Sequence, residues 1–496
     1  MYVLLCNLVF DFLYFLKGKL ESMVNKEQFK RLIVTVATLV IVCCMAFCFI
    51  FVWHNLYNTN FGEKIGEDYF FWQRGNVLLL VIYMLLYMAF TKSFNGFRVG
   101  YLKTAGLIGS QILGIISTNA VTYLLISLMG RSLVDPVPLL MLTAYQFLLA
   151  AIWVTGATYV YLKIYPPRKM IIVYGNTNAR DLVTKMSERV DKYMICSSVS
   201  ISEDLETIKE KILDFEAVII CDVPSNLRNQ LLKFTYDKSI RTYITPKISD
   251  VILRGSEEIH LFDTPLLLSR NLGLTFEQRV IKRLMDLAMA VICSVIALPF
   301  MLITALAIKL YDKGPVLYSQ ERLTLDGKVF KVYKFRSMIV DAEKDGVARL
   351  AKDNDSRITP VGKIIRKIRF DELPQLINIL KGDMSFVGPR PERPEIAKQY
   401  EETIPEFRYR LKAKAGLTGY AQVMGKYNTT PYDKLKLDLM YIEQQSIILD
   451  IRILLLTIKT IFVPDSTEGV TNDTAATDSH KLTPKSEMEN KEEISV

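Results

Sequence analysis

Between residues 32 and 162 the chain carries four long apolar runs, at roughly 32–53, 76–91, 104–128 and 138–162, and these restrict its possible folds more than any other feature. A helix needs about 20 apolar residues to cross a hydrocarbon core of about 30 Å; three of the runs are long enough and the second is marginal. Buried helices of soluble proteins rarely come four in a row like this. Lys26, Lys30 and Arg31 precede the first run, Lys92, Arg98 and Lys103 lie between the second and third, and Lys163, Arg168 and Lys169 follow the fourth. The intervening loops at 54–75 and 129–137 are poor in net positive charge, so the positive-inside rule puts both ends of this four-span set in the cytoplasm. Charges inside the runs are nearly absent, which speaks against an ion pathway.

Composition narrows the function classes. Half of the 496 residues are hydrophobic and the net charge is +9, suited to an anionic membrane surface or anionic substrates. No zinc-finger spacing or RNA-binding aromatic signature supports nucleic acid as the partner. The seven cysteines include no C-x-x-C, and Cys43, Cys44, Cys48 and Cys293 fall in apolar segments as small buried hydrophobes. With only His54, His260 and His480, a histidine-based zinc site is set aside.

Residues 1–31 read as an N-terminal interfacial and basic segment, or as a mis-chosen start, since Asp11 interrupts the opening apolar run and the lysines follow it. After Pro166-Pro167 the strand-like runs 170–174 and 217–221 alternate with helical patterns, predicting a small doubly wound, Rossmann-like domain over about 169–260. A dinucleotide fingerprint beginning at Gly175 would need glycine where Thr177 and Arg180 stand, so a structural role is favoured over NAD binding. From Leu287 to Leu310 the chain is again apolar enough to span, yet Lys282 and Arg283 flank one end and Lys309 and Lys313 the other. Both ends call for the same side, and Pro299 breaks the helix near its middle, which predicts a re-entrant helix-break-helix. Ser446 to Val463 carries Asp450, Arg452 and Lys459 on an amphipathic stripe, an interfacial helix, and 464–496 reads as a disordered tail.

The densest chemistry lies between Arg357 and Glu392. Asp371-Glu372 precedes Leu373-Pro374-Gln375 and an apolar run to Leu380, closed by Lys381-Gly382. Asp as N-cap, Pro in the first turn and Gly as stop place the acid pair at a helix start, where the dipole favours anions. Arg366 and Arg369 lie just upstream, able to offset a diphosphate beside two carboxylates, one of which could ligate a divalent cation. The strand 331–338 sets Lys334 and Arg336 on one face, and Gly388-Pro389-Arg390-Pro391 is a stiff loop aiming one guanidinium.

These pieces occur in order with Gly314-Pro315-Val316, Gln320 and Arg322, Lys334-Phe335-Arg336-Ser337-Met338, Arg357-Ile358-Thr359, Gly382 to Pro391, and Gly416-Leu417-Thr418-Gly419 followed by Gln422-Val423. As a set, residues 279–463 resemble the bacterial sugar transferases, the monotopic phosphoglycosyl transferases. Two departures are Leu298-Pro299 where the family often has Ser-Pro, and Lys426 where it commonly has arginine.

The resemblance implies a membrane protein of α plus α/β class: a four-helix transmembrane bundle (32–165), a Rossmann-like cytoplasmic domain with its linker (166–278), and a mainly helical monotopic catalytic domain with a re-entrant helix (279–463). It implies transfer of hexose 1-phosphate from a UDP-hexose, glucose or galactose, to undecaprenyl phosphate at the inner leaflet of the bacterial plasma membrane. This would release UMP and initiate a surface polysaccharide. Asp371 would be the nucleophile and Glu372 the ligand of Mg2+, with Arg366, Arg336, Lys334, Arg390 and Arg357 holding substrate, and the accessory domain would serve oligomerisation, regulation or support in a homo-oligomer. Two other readings are an idle membrane scaffold and an NAD-dependent nucleotide-sugar dehydratase or epimerase. The second lacks both the glycines and a Tyr-x-x-x-Lys pair, since Tyr193 and Tyr236 are followed four residues on by Ser197 and Ile240.

Overall fold

The computed structural model describes residues 29–65, 73–175, 179–270, 273–340, 355, 357–425 and 429–461. Expectations for the N-terminal 28 residues, for Lys426 and for the tail beyond 461 fall outside them. The described chain divides after Thr245 into two compact units.

The first unit begins with four helices, Lys30–Val52, Gln73–Ser93, Thr104–Met129 and Val137–Ile164. The first packs on the second and fourth, and the third packs between the second and fourth, closing a ring. Aromatic side chains fill the centre, with the Phe49 and Tyr83 rings stacked at 4.1 Å. Leu124, Leu128, Leu140, Leu148 and Ile152 point outward and are more than 60% exposed, as suits an apolar solvent. Polar side chains stitch the interior: Tyr87 donates to Gln111 Oε1 at 2.7 Å, Gln146 to Tyr83 Oη at 2.8 Å, and Asn119 to Gln146 Oε1 at 2.9 Å. Interhelical hydrogen bonds of this kind supply the specificity that apolar packing in lipid lacks.

The same unit continues into a four-stranded parallel sheet in the order β2-β1-β3-β4, built from β1 Arg168–Tyr174, β2 Tyr193–Ser200, β3 Ala217–Cys221 and β4 Arg241–Ile244. Helices Ala179–Ser187, Leu205–Leu213 and Ser225–Asp237 make the crossovers. β1 and β3 are covered on both faces, Ile171 and Val173 packing with Val218 and Ile220, and Met170 and Ile172 with Ala217 and Ile219. That double burial is why both strands read as unbroken apolar runs. Gly175 serves close approach of the strand ends: a Cβ there would stand 2.2 Å from the Asp222 carbonyl oxygen.

The second unit holds a hairpin of β5 Glu257–Leu261 and β6 Thr264–Leu268, then a 37-residue helix, Phe276–Asp312. A second hairpin follows, β7 Leu317–Leu323 with β8 Val329–Phe335. Helices Pro360–Lys367 and Gln375–Lys381 lead to β9 Ser385–Val387, which pairs in parallel with β10 Gly416–Thr418. Helices Pro431–Glu443 and Ile447–Ile461 close the unit. Its core joins Ala290, Phe330, Leu376, Ile379, Phe386, Phe407, Leu435 and Tyr441.

The long helix runs without interruption through Pro299, where the sequence predicts a break. Thr275 caps its start by accepting from the Gln278 N–H. Lys282, Asp286, Ala290, Ala297, Thr304 and Ile308 form a buried stripe at helical spacing. The opposite face, with Val291, Ile292, Val295, Ile296, Ile303 and Leu306, is more than half exposed. Five described helices, this one included, are long and apolar enough to cross a membrane.

Candidate active site

β8 brings the first cation. Phe330 and Val332 bury one face of the strand, and the period of two carries that face on to Lys334 and Arg336. Asn378 docks the helix Gln375–Lys381 against the strand by mimicking a neighbouring backbone, accepting from Tyr333 N at 3.0 Å and donating to Lys331 O at 2.8 Å. The helix ends on Gly382 in the left-handed region, as its sequence predicts.

The acid pair is not at the start of that helix, which begins only at Gln375 with Pro374 in the cap position. Asp371 and Glu372 occupy a separate 3-10 turn, Phe370–Glu372, entered through Arg369 in left-handed conformation (φ 59°). A turn at Ile368-Arg369 and the 3-10 turn after it therefore present the carboxylates, in place of a capping arrangement. Non-glycine residues held at positive φ carry strain that the surrounding fold must offset.

Glu372 is the hub. Its Oε1 accepts from Lys334 Nζ at 2.7 Å and from Arg390 Nη2 at 3.0 Å, while its side chain is 15% exposed. Burial pushes the Glu372 carboxyl up, but Arg390 and Lys334 outweigh it and hold the group well below the usual carboxylate range. Asp371 behaves oppositely. Burial and the Glu372 charge raise its pKa, with Lys334, Arg366 and Arg390 pulling the other way. A cleft opens beside Glu372, lined by Arg322, Lys334, Gln375, Arg390 and Leu417 among others.

Of the sequence-predicted substrate residues, Lys334, Arg366 and Arg390 thus surround the acid pair. Arg336 and Arg357 are engaged elsewhere. Arg336 is buried and pairs with Asp312 at the end of the long helix, and Arg357 makes a two-point contact with Asp355 at 2.6 and 2.9 Å. Pro299 neighbours Phe300, whose ring lies 5.7 Å from that of Phe370, the residue before the acid pair.

The loop bearing Arg390 is held from behind by Arg410, Asp438 and Lys434, for which the sequence carries no motif, together with Arg322 and Glu392. Arg410 donates to the Arg390 carbonyl at 2.9 Å and to Asp438 at 3.0 Å, and Glu392 takes ion contacts from Arg410 at 3.4 Å, from Arg322 at 4.0 Å and from Lys434. The only sequence signal was the density of charge among apolar neighbours. Burial raises the Glu392 pKa, but Lys434 and Arg410 outweigh it and bring it down to about 2. Because the folded value lies below the ordinary 4.5, this group adds stability above about pH 4.5 that is lost as pH falls towards 2. The melting temperature of the detergent-solubilised protein should fall through that window, and Glu392→Gln should flatten the fall while lowering stability at neutral pH. Gly388 leaves no room for a side chain, a Cβ there standing 2.1 Å from the Lys414 carbonyl. Gly388→Ala should therefore cost about 2 kcal/mol or more, read as a lower melting temperature.

The donor set fits a hard divalent cation. Oε1 of Glu372 takes both cationic partners, Asp371 lies beside it, and Mg2+ is commonly held by one or two carboxylates completed by water and substrate phosphate. Among the described residues no group of three or more acidic, histidine or cysteine side chains forms a closed cage.

The bacterial sugar transferase family model matches residues 277–464, the stretch that contains this acid turn, its cations and the long helix. A putative undecaprenyl-phosphate N-acetylgalactosaminyl 1-phosphate transferase of Bacillus subtilis is 51% identical over 131 residues, 26% of this chain and 73% of that protein. The chain belongs to the bacterial sugar transferase family. It is also 46% identical over 184 residues to a UDP-N-acetylgalactosamine-undecaprenyl-phosphate N-acetylgalactosaminephosphotransferase of Aeromonas hydrophila, covering 36% of this chain and 43% of that one. With a UDP-glucose:undecaprenyl-phosphate glucose-1-phosphate transferase of Escherichia coli it shares 40% identity over 216 residues, 42% of this chain and 45% of the relative. The match spans about half the length of several of these curated relatives.

Proposed function

We propose that this sugar transferase family member moves a sugar 1-phosphate from a UDP-sugar to undecaprenyl phosphate, releasing UMP and starting a surface polysaccharide. The observation that carries the reading is the Asp371 carboxylate beside Glu372, which Lys334 and Arg390 hold at 2.7 and 3.0 Å, with Phe300 of the apolar helix packed 5.7 Å from Phe370. In the first step an Asp371 oxygen attacks the sugar-bearing phosphorus, and the bond from that phosphorus to the UMP oxygen breaks. An acyl-phosphate links Asp371 to the sugar. In the second step an oxygen of undecaprenyl phosphate attacks the same phosphorus and frees the Asp371 carboxylate. Lys334, Arg366 and Arg390 stabilise the charge on the transferring phosphoryl group and orient it. Mg2+, held by Glu372, would supply charge neutralisation for the diphosphate.

The long helix supports a monotopic placement. A straight helix from Lys282 to Asp312 would rise about 45 Å, yet its first turns, its middle at Ala297 and Phe300, and its end at Asp312 all touch the one catalytic unit. A helix bent at Pro299 that dips into the cytoplasmic leaflet and returns meets those contacts and leaves its outer face in lipid. The four N-terminal helices span the membrane with both ends cytoplasmic, so the site works where nucleotide sugars are made.

Relatives are named for glucose, for N-acetylgalactosamine and for galactose, and all three are candidate donors. The test is UMP release by the detergent-extracted protein with undecaprenyl phosphate, Mg2+ and UDP-glucose, UDP-galactose and UDP-N-acetylgalactosamine in turn. Release with one donor supports the reading and names the sugar. No release with these or a wider donor panel turns the reading towards an inactive scaffold.

A further inference from the structure

Four buried polar side chains outside the acid turn have no part in this reaction, yet Lys282, Asp286 and Tyr441 bond to the backbone of β9, and Asp450 bonds to two of these three. Lys282, Asp286, Tyr441 and Asp450 are each less than 10% exposed. Asp450, expected on the amphipathic stripe of an interfacial helix, and Lys282, expected among flanking membrane charges, are paired with each other in the interior. Lys282 Nζ also donates to the Val387 carbonyl at 3.1 Å, Tyr441 donates to Asp450 Oδ1 at 2.8 Å with the Val387 carbonyl 3.2 Å away, and Asp286 Oδ1 accepts from Phe386 N at 3.1 Å. One residue along from Lys282, Arg283 donates to the Ile379 and Leu380 carbonyls at 2.6 and 2.8 Å, closing the C-terminal end of the helix that follows the acid turn.

β9 is only three residues long and, among the described residues, β10 is its strand partner, so few ladder hydrogen bonds of its own fix its register. The long helix supplies the other edge. A slip of one residue would move Arg390, three positions after Val387, by about 3.3 Å, enough to end its 3.0 Å bond to Glu372. A buried ion pair is a poor source of stability when apolar residues would serve as well, since desolvation offsets most of the attraction.

We propose that Lys282, Asp286, Asp450 and Tyr441 are positioning residues that set the register of β9 and so hold Arg390 on Glu372. The first turns of the long helix are thereby part of the active-site scaffold as well as a membrane anchor. The inference rests on the transferase reading, and its test separates the two.

Wild-type UMP release with the active donor is measured first; its absence counts against the transferase reading and leaves nothing for the network to position. Lys282→Met/Asp450→Leu then replaces the pair by apolar groups of similar size, and Tyr441→Phe removes one hydroxyl. Each is made alone and with Arg390→Met, using enough enzyme to bring the slow background into range. If the network acts through Arg390, each change lowers kcat/KM by about tenfold or more in the wild-type background and by less than about threefold with Arg390→Met. Equal losses in both backgrounds, or a folded variant of undiminished activity, would overturn the proposal. Should the double replacement fail to fold, Tyr441→Phe carries the same comparison.

Discussion

Asp371→Asn should lower UMP release by about 10⁴-fold or more and abolish any phospho-sugar adduct on the protein, while leaving the fold at least as stable as before. The amide nearly matches the carboxylate in shape and lacks only the nucleophilic charge, so the loss reads the chemistry and not the packing. Stability moves the other way because the Asp371 pKa is raised in the fold, by burial first and by Glu372 second. A carboxyl whose folded pKa lies above its ordinary value is a burden once pH exceeds that value, and neutral asparagine removes it. Incubation with a sugar-labelled UDP-sugar followed by denaturing electrophoresis reads the adduct, and thermal unfolding reads the stability. Retention of substantial turnover would remove the covalent mechanism.

Glu372→Gln should be damaging in both respects. Lys334 and Arg390 would face a neutral amide across the 2.7 and 3.0 Å contacts they now make to one carboxylate oxygen. Two cations deprived of their shared counter-charge should cost about 1–3 kcal/mol, discounted because both are partly exposed, and the melting temperature should fall by several degrees. Activity should drop about 10²–10³-fold and the Mg2+ concentration for half-maximal rate should rise about tenfold. The contrast between neighbours is the informative result: one acid is expected to be dispensable for stability and the other is not. If Glu372→Gln leaves the metal requirement unchanged, the cation is held by other groups.

These outcomes follow from features the sequence reveals unevenly. The four apolar helices, the central strands β1 and β3 and the stop at Gly382 were legible because each follows from local periodicity or backbone chemistry. β2 and β4 were not, since both are only half-buried and carry no clean alternation. Asp371-Glu372 stood out through its neighbours, but a local capping rule placed it on a helix, whereas Arg369 turns the chain before the pair and Gln375 starts the helix after it. Local rules cannot anticipate a residue held at positive φ by its surroundings.

What the sequence by itself determined is the membrane character of the chain, the parallel sheet and the family of its second half, because hydropathy, strand pattern and motif order are one-dimensional quantities. Only the tertiary structure decided which charges do what. It set Lys334 and Arg390 on Glu372, sent Arg336 to Asp312, and buried Lys282 against Asp450, 168 residues away. A charge in sequence has no partner until the fold supplies one, and its pKa, its reach and its role all depend on that partner.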